Sequence, residues 1–337
     1  EKRYDLAGHI LPPCQHFENI ANKRTAGQRR LKTAVLVYNI IVGNERSGGN
    51  VKGTLALLLA VTAWPGYAAA SSLAAFDSLA ALAPSSFSVP DAAPARIKAS
   101  PLTGEALFQQ LHNSTAFAAP NTGKDYLNSK KFMFSQADNT GCGGGPGVTC
   151  LYSQVCAKGA TEHGEDYKEP GDANGDGISD EGGMNAEHSW PQGFFNKAAP
   201  MKSDLHHIFP TFITPNNTRG SDPFGVVTGK PVYVLKSGTR LGTEGYEPAD
   251  PAKGDIARAI LYFVVRYYDK NIRDGMDYKD FWTSRVQMFL DWNRQDPPDA
   301  NEKRRNDLIA GFQGNRNPFV DDYTLADRVG LKVFQSH

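Results

Sequence analysis

The stretch GDIARAILYFVVRYY, residues 254–268, most constrains this fold, because it is apolar on nearly every face of a helix. A helix without a polar face must be enclosed by other elements, so a domain has to be built around it. The spacing predicts further helices at ALFQQLH (residues 106–112), FWTSRVQMFLDWNRQDPP (281–298, stopped by its prolines) and the segment beginning EKRRND at Glu302. KKFMFSQADN and VTCLYSQVC alternate in polarity around a Gly-rich loop and predict a hairpin. Residues 157–186 are polar and rich in turn formers. Helices flanking a small set of strands give an α+β class, and no internal repeat is visible.

The 337-residue chain can bury a substantial core and carries no formal net charge. Its charge is uneven: residues 1–52 hold 9 basic and 4 acidic side chains, which leaves the rest at −5. A mildly acidic body does not grip polyanions by bulk attraction, so any nucleic-acid chemistry must rest on a local patch and a metal.

The first Met is Met133, and the N-terminal segment 1–50 reads as non-native or as an over-extended frame that could start at Val51. From Val51, one cation at Lys52, an apolar run over 55–64, a Pro65-Gly66 break and Ala68-Ala69-Ala70 predict a secretory signal peptide over 51–70. The run is too short to span a bilayer, which needs roughly 20 apolar residues. Residues 71–100, rich in Ala, Ser and Pro, read as a linker, and the folded domain is expected over 101–330. Export permits disulfides. Cys14 lies in the discarded segment, and among Cys142, Cys150 and Cys156 one bridge and one leftover thiol are expected. Cys142–Cys150 would staple the Gly-rich loop and Cys150–Cys156 would close a shorter one. The spacing does not choose, and it suits no common zinc site.

The densest chemistry lies in MNAEHSWPQGFF, residues 184–195, and SDLHHIFPTFITPNNTRGSDPFG, residues 203–225. Glu187 beside His188, then Asp204, His206, His207, Asn216, Asn217 and Arg219, supply what phosphodiester hydrolysis requires. That reaction needs a base for water, hard oxygen ligands for magnesium and a cation for the phosphorane charge. Imidazole titrates near neutral pH, and Glu and Asn oxygens suit a metal that keeps most of its waters. Trp190 and Phe194 read as core or wall.

EHSWP, DLHHIFP, NNTRG, KGDIARA, EKRRND and QGNRNPF stand in the order and spacing of the bacterial endonuclease I family, which the chain resembles from about 102 to about 328. The resemblance implies an exported or periplasmic nuclease with a His-Me finger (ββα-metal) core in a mainly helical domain. It implies His188 as general base, with Glu187 and Asn216 holding Mg2+. In that arrangement His188 ends one strand, residues 205–209 lie on the second, and Asn216 enters the helix. It further implies attack by water in line with phosphorus, a metal-bound water protonating the leaving oxygen, and products with 5′-phosphate and 3′-hydroxyl ends.

Arg219 is expected to clamp a phosphate. Asn217 is the rival ligand to Asn216, whose plainer role is helix capping. Asp204, His206, Gln313, Asn315 and Arg316 are expected as supporting groups around the site. The substrate would be DNA, with RNA also admitted, cut with little sequence preference because such a site grips backbone rather than bases. The chain is read as a monomer with no stable membrane association after signal cleavage.

GDANGDGISDEGG, residues 171–183, is a second metal signal. Asp172, Asn174, Asp176, Ile178 and Asp180 occupy positions 1, 3, 5, 7 and 9 of an EF-hand-like loop. Gly183 stands where the usual bidentate Glu belongs, and Glu181 is its substitute. Structural Ca2+ is therefore expected, with an acidic surface turn as the plainer alternative. Two rival functions remain in view: a catalytically inactive calcium-dependent extracellular binding module, and a zinc hydrolase using His188, His206 and His207, whose spacing lacks H-E-x-x-H logic.

Overall fold

The computed structural model describes residues 100–116, 125–172, 174–175 and 182–337. The over-extended segment, signal peptide and linker assigned to 1–99 lie outside these, as do Asp176, Ile178, Asp180 and Glu181 of the expected calcium loop. Among the described residues no helix is long and apolar enough to cross a membrane.

The chain opens with α1 (Gly104–Ala116). Helix α2 (Tyr126–Phe132) follows, N-capped by Asp125 and continued by a π-helical turn over Met133–Ala137. The hairpin expected to begin within residues 130–139 is thus corrected. Ser129, Met133, Phe134 and Ala137 are the buried positions, a helical spacing that the unbroken apolar run Phe132-Met133-Phe134 disguises. The hairpin instead folds within and just beyond the second segment, with β1 (Gly147–Thr149) paired antiparallel to β2 (Cys156–Lys158), whose last two residues lie in the stretch expected to be turn-rich.

Strands β3 (Met184–His188) and β4 (Ile208–Phe212) form a second antiparallel pair, with His188 opposite Ile208 and Glu187 opposite Phe209. Helix α3 (Ile213–Arg219) follows β4 without a break. A three-stranded meander comprises β5 (Tyr233–Val234), β6 (Arg240–Gly242) and β7 (Gly245–Glu247).

The enclosed helix is α4 (Asp250–Tyr267), 18 residues of which all but three are buried. It packs chiefly against α1 and against α6 (Val286–Gln295). The sequence segment expected as one helix over 281–298 is in fact broken. A short α5 (Tyr278–Phe281) ends at Trp282, where the backbone leaves the helical region and a 3₁₀ turn intervenes before α6. Gly254 of α4 sits where a Cβ would collide with the carbonyl of Asp296 and crowd the Arg258 guanidinium. Close approach, rather than flexibility, therefore requires glycine there.

Helix α7 (Ala300–Gln313) packs against the π-helical turn and against α8 (Pro318–Asp321), and α9 (Leu325–Val329) and α10 (Leu331–Ser336) close the chain. Inside the helical layer, Arg258 of α4 pairs with Glu302 of α7 at 2.5 Å. Arg266 pairs with Asp204 at 2.9 Å. Buried charges of this kind are tolerable only when matched.

The disulfide joins Cys142 to Cys156 with Cα atoms 5.8 Å apart, a pairing neither of the two weighed from spacing. Cys150 is the leftover thiol, fully buried, its Sγ accepting from the backbone N–H of Ser153 and Phe212. Burial of Cys150 beneath the end of β4 removes it from the choice.

Candidate active site

Antiparallel pairing places Glu187 and His188 at the end of β3, and α3, continuing directly from β4, brings Asn216 back toward them. The three line one cavity of about 440 Å³, together with Tyr126, Lys130, Asn185, Asn217 and the Pro191–Gly193 turn.

His188 is 4% exposed, and its Nε2 lies 3.0 Å from the carbonyl oxygen of Lys202. A carbonyl can only accept, so Nε2 carries the proton and Nδ1 keeps the lone pair. Burial pushes the imidazole down to about 3, with His207, Lys202 and Arg219 as like charges adding to the effect, so the ring is a neutral acceptor at working pH.

Glu187 is buried, and its Oε1 accepts from the Tyr152 hydroxyl at 2.8 Å and from Arg219 Nη1 at 2.7 Å. Its Oε2 takes no hydrogen bond from the described residues. Burial pushes this carboxyl above its ordinary range, while Arg219 and Tyr152 recover only part of the cost. Such an anion gains from a further cation.

Asn216 donates from Nδ2 to Asn185 Oδ1 at 2.5 Å, which leaves its own carbonyl oxygen to face another partner. Asn185 was not singled out in the sequence. The signal that could have found it is strand alternation, which sets residues 185 and 187 on one side of β3. Asn217 also lines the cavity without sharing that bond.

One carboxylate oxygen and one amide oxygen on residues lining the same cavity form a donor set suited to magnesium, which retains several waters. Among the described residues no three His, Cys, Asp or Glu side chains converge as a metal cage, which leaves the zinc reading without a site. His206 Nε2 bonds the carbonyl of Asn315 and His207 Nε2 the carbonyl of Met201, while the His207 ring packs edge-on to His188 with centroids 5.4 Å apart.

Arg219 does not reach the cavity wall. It is 1% exposed and its guanidinium bonds Glu187, the carbonyls of His188 and Ser189, and the carbonyl of Asp222. Its plane also rests on the Phe224 ring, 4.5 Å from the centroid. Four of its five N–H groups are thereby committed inside the protein.

The expected supporting residues also lie elsewhere. Asp204 is a fully buried hub whose Oδ2 accepts from Tyr262, Arg266 and Tyr267 and whose Oδ1 accepts from Gln313 and the His206 backbone. Asn315 ties Gln313 to Tyr262, and Arg316 pairs with Asp307 and Asp321. None of these side chains lines the cavity; Asp204, Gln313 and Asn315 brace the 3₁₀ turn over Leu205–His207 that leads into β4, whereas Arg316 ties α7 to α8. Trp190 is core, its indole N–H donated to the carbonyl of Ile272. In the expected calcium loop, Asp172 Oδ1 accepts from the backbone N–H of Gly175 and its Oδ2 lies 3.5 Å from Lys236.

The endonuclease I family model matches residues 103–323. The chain is similar to the extracellular ribonuclease of Bacillus amyloliquefaciens, 34% identical over 166 residues that cover 46% of this chain and 56% of that one. It is likewise similar to the extracellular ribonuclease of Bacillus subtilis (strain 168), 32% identical over the same shares. To the periplasmic deoxyribonuclease of Aeromonas hydrophila it is 32% identical over 130 residues, 38% of this chain and 49% of that one. The chain spans about half the length of these curated relatives. A match over most of the described domain, with the cavity's residues inside it, places this chain in the endonuclease I family.

Proposed function

We propose that this chain is an exported, magnesium-dependent endonuclease that hydrolyses phosphodiester bonds of DNA and also of RNA, with little sequence preference, as a monomer. The observation that carries the reading is the convergence of an oriented neutral imidazole, an under-satisfied carboxylate and a positioned amide on one cavity. Relatives named as ribonucleases and as deoxyribonucleases support both substrates.

We read β3, β4 and α3 as the ββα-metal core of a His-Me finger. His188 Nδ1 takes a proton from a water lying in line with phosphorus, while the Lys202 carbonyl holds the ring in the required tautomer. Glu187 Oε2 and Asn216 Oδ1 would hold the magnesium. When bound, the metal supplies the positive charge that stabilises the leaving 3′ oxygen. Cleavage on that side gives 5′-phosphate and 3′-hydroxyl ends.

Arg219 is assigned a positioning role: it fixes Glu187 and the strand carbonyls beside it instead of clamping phosphate. Asp172 and Asn174, with the calcium loop they open, are proposed to hold structural Ca2+ just ahead of β3. The signal-peptide reading of 51–70 supports secretion or periplasmic residence.

The test is cleavage of supercoiled plasmid and of a structured RNA with magnesium, with calcium alone and with EDTA, alongside His188→Ala. Metal-dependent nicking lost in the variant is expected. Cleavage that survives EDTA or survives the substitution would overturn the assignment.

A further inference from the structure

Helix α2 presents three distinct faces. Ser129, Met133, Phe134 and Ala137 turn into the core. Tyr126 and Lys130, one helical turn apart, face the active-site cavity. Asn128, Lys131, Phe132 and Ser135, spaced at i, i+3, i+4 and i+7, line a second cavity of about 420 Å³, which shares none of its lining with the first. Phe312 of α7 and Glu162 complete that second wall.

Two features of this second cavity are hard to explain by packing alone. Phe132 and Phe312 stack face to face, with centroids 4.0 Å apart and planes 10° from parallel, yet both are only half-buried. Lys131 stands beside them, its ammonium 3.5 Å from Glu162 in a solvent-exposed pair that holds it weakly. On the active-site side, the Tyr126 ring lies 5.6 Å from His188, with Lys130 and Lys202 ammonium groups 5.3 and 4.9 Å from its centroid. A cation held near an aromatic ring beside the base suits a phosphate. A half-exposed aromatic pair with a loosely held lysine suits an unpaired base and its phosphate.

We propose that α2 is a divider over which a single nucleic-acid strand runs. The strand places its scissile phosphate in the His188 cavity against Lys130 and Lys202, and stacks a base two to three nucleotides away on the Phe132–Phe312 pair, with Lys131 on the intervening backbone. This rests on the nuclease reading above and names the strand form that the site takes. The six helical rises from Tyr126 to Phe132 span about 9 Å of helix axis, roughly the length of two to three stacked nucleotides. Stacking tolerates any base, in keeping with a surface that reads none. A base still paired within a duplex could not lie on the aromatic pair.

The test uses the full chain in a His188→Ala background and follows binding of a fluorescent single-stranded 12-mer by anisotropy in magnesium. Phe132→Leu keeps an apolar side chain of similar bulk and is expected to weaken binding about five-fold or more. Lys131→Gln is expected to weaken it by a smaller factor, and Glu162→Gln to tighten it by freeing Lys131. That opposite sign is one that loss of structure would not produce. A blunt duplex of the same length should bind with no dependence on Phe132. Unchanged binding in Phe132→Leu, a shared sign for Lys131→Gln and Glu162→Gln, or equal Phe132 dependence for the duplex would each overturn the proposal. Cleavage by the parent chain keeps the two readings separable: a parent that cleaves while these variants bind alike refutes the divider alone, whereas a parent that neither binds nor cleaves refutes both.

Discussion

Glu187 and Asp204 are both buried carboxylates, each bonded to an arginine and a tyrosine, and each one residue or two from a histidine, yet they are built for opposite ends. Asp204 receives five hydrogen bonds spread over both oxygens. Burial alone would raise its carboxyl, but Arg266, the neighbouring histidines and Gln313 hold it well below the usual carboxylate range. Glu187 receives two, both on one oxygen, and burial leaves it raised. A saturated carboxylate holds a fold together, and an unsaturated one beside a cavity is available to a ligand.

The sharpest break in that comparison is catalytic. His188→Ala should lower cleavage by about 10²–10⁴-fold, the scale of a lost general base, while the thermal midpoint stays near that of the parent. A variant that unfolds instead would make His188 a second Asp204. Next in size, Asp204→Ala should destabilise the domain by about 3–5 kcal/mol in chemical denaturation, because it strands the Arg266 charge in the interior. Glu187→Gln should cost clearly less, since its partner Arg219 keeps three backbone carbonyl acceptors. Equal losses would erase the distinction drawn between the two carboxylates.

Acid titration probes the interior side. Burial depresses His206 and His207 from 6.5 to about 4, so between those values the unfolded chain binds more protons than the folded one. The stability contributed by keeping these rings neutral is complete above pH 6.5 and is lost as pH falls toward 4, on the order of 3 kcal/mol for each ring. Denaturation midpoints that stay flat from pH 7 to pH 4 would contradict the burial of both.

Magnesium addition probes the cavity side. It should stabilise the parent by mass action, by about 2.7 kcal/mol at a hundred times Kd, seen as a higher thermal midpoint, and should do nothing for Glu187→Gln. Smallest of all, Asn185→Ala should weaken magnesium binding about 10-fold in calorimetry by freeing the Asn216 amide, without touching the acid profile. An unchanged Kd would remove Asn185 from the site.

The enclosed helix over 250–267 was legible because an all-round apolar pattern admits only one environment. The grouping of Glu187, His188 and Asn216 was legible from motifs. Other details were not. Phe132, Met133 and Phe134 form a short apolar run that periodicity cannot assign to strand or helix, and only the burial of Ser129 and Ala137 shows the helical period. Arg219 looks like a phosphate clamp in the sequence, because nothing local says that Ser189 and Asp222 will present their carbonyls to it. The roles of Asp204 and Asn315 depend on Tyr262 and Arg266, dozens of residues away, and no local pattern records such a partnership.

Cys150 offers a use that the disulfide beside it cannot. Its thiol is sealed beneath the end of β4, bonded by the Phe212 amide, with its acidity suppressed by burial. A thiol-reactive dye therefore reaches it only in molecules where that strand has lifted. The labelling rate at Cys150 is a built-in clock for opening of the strand pair that carries His188, readable in the native protein with no residue changed.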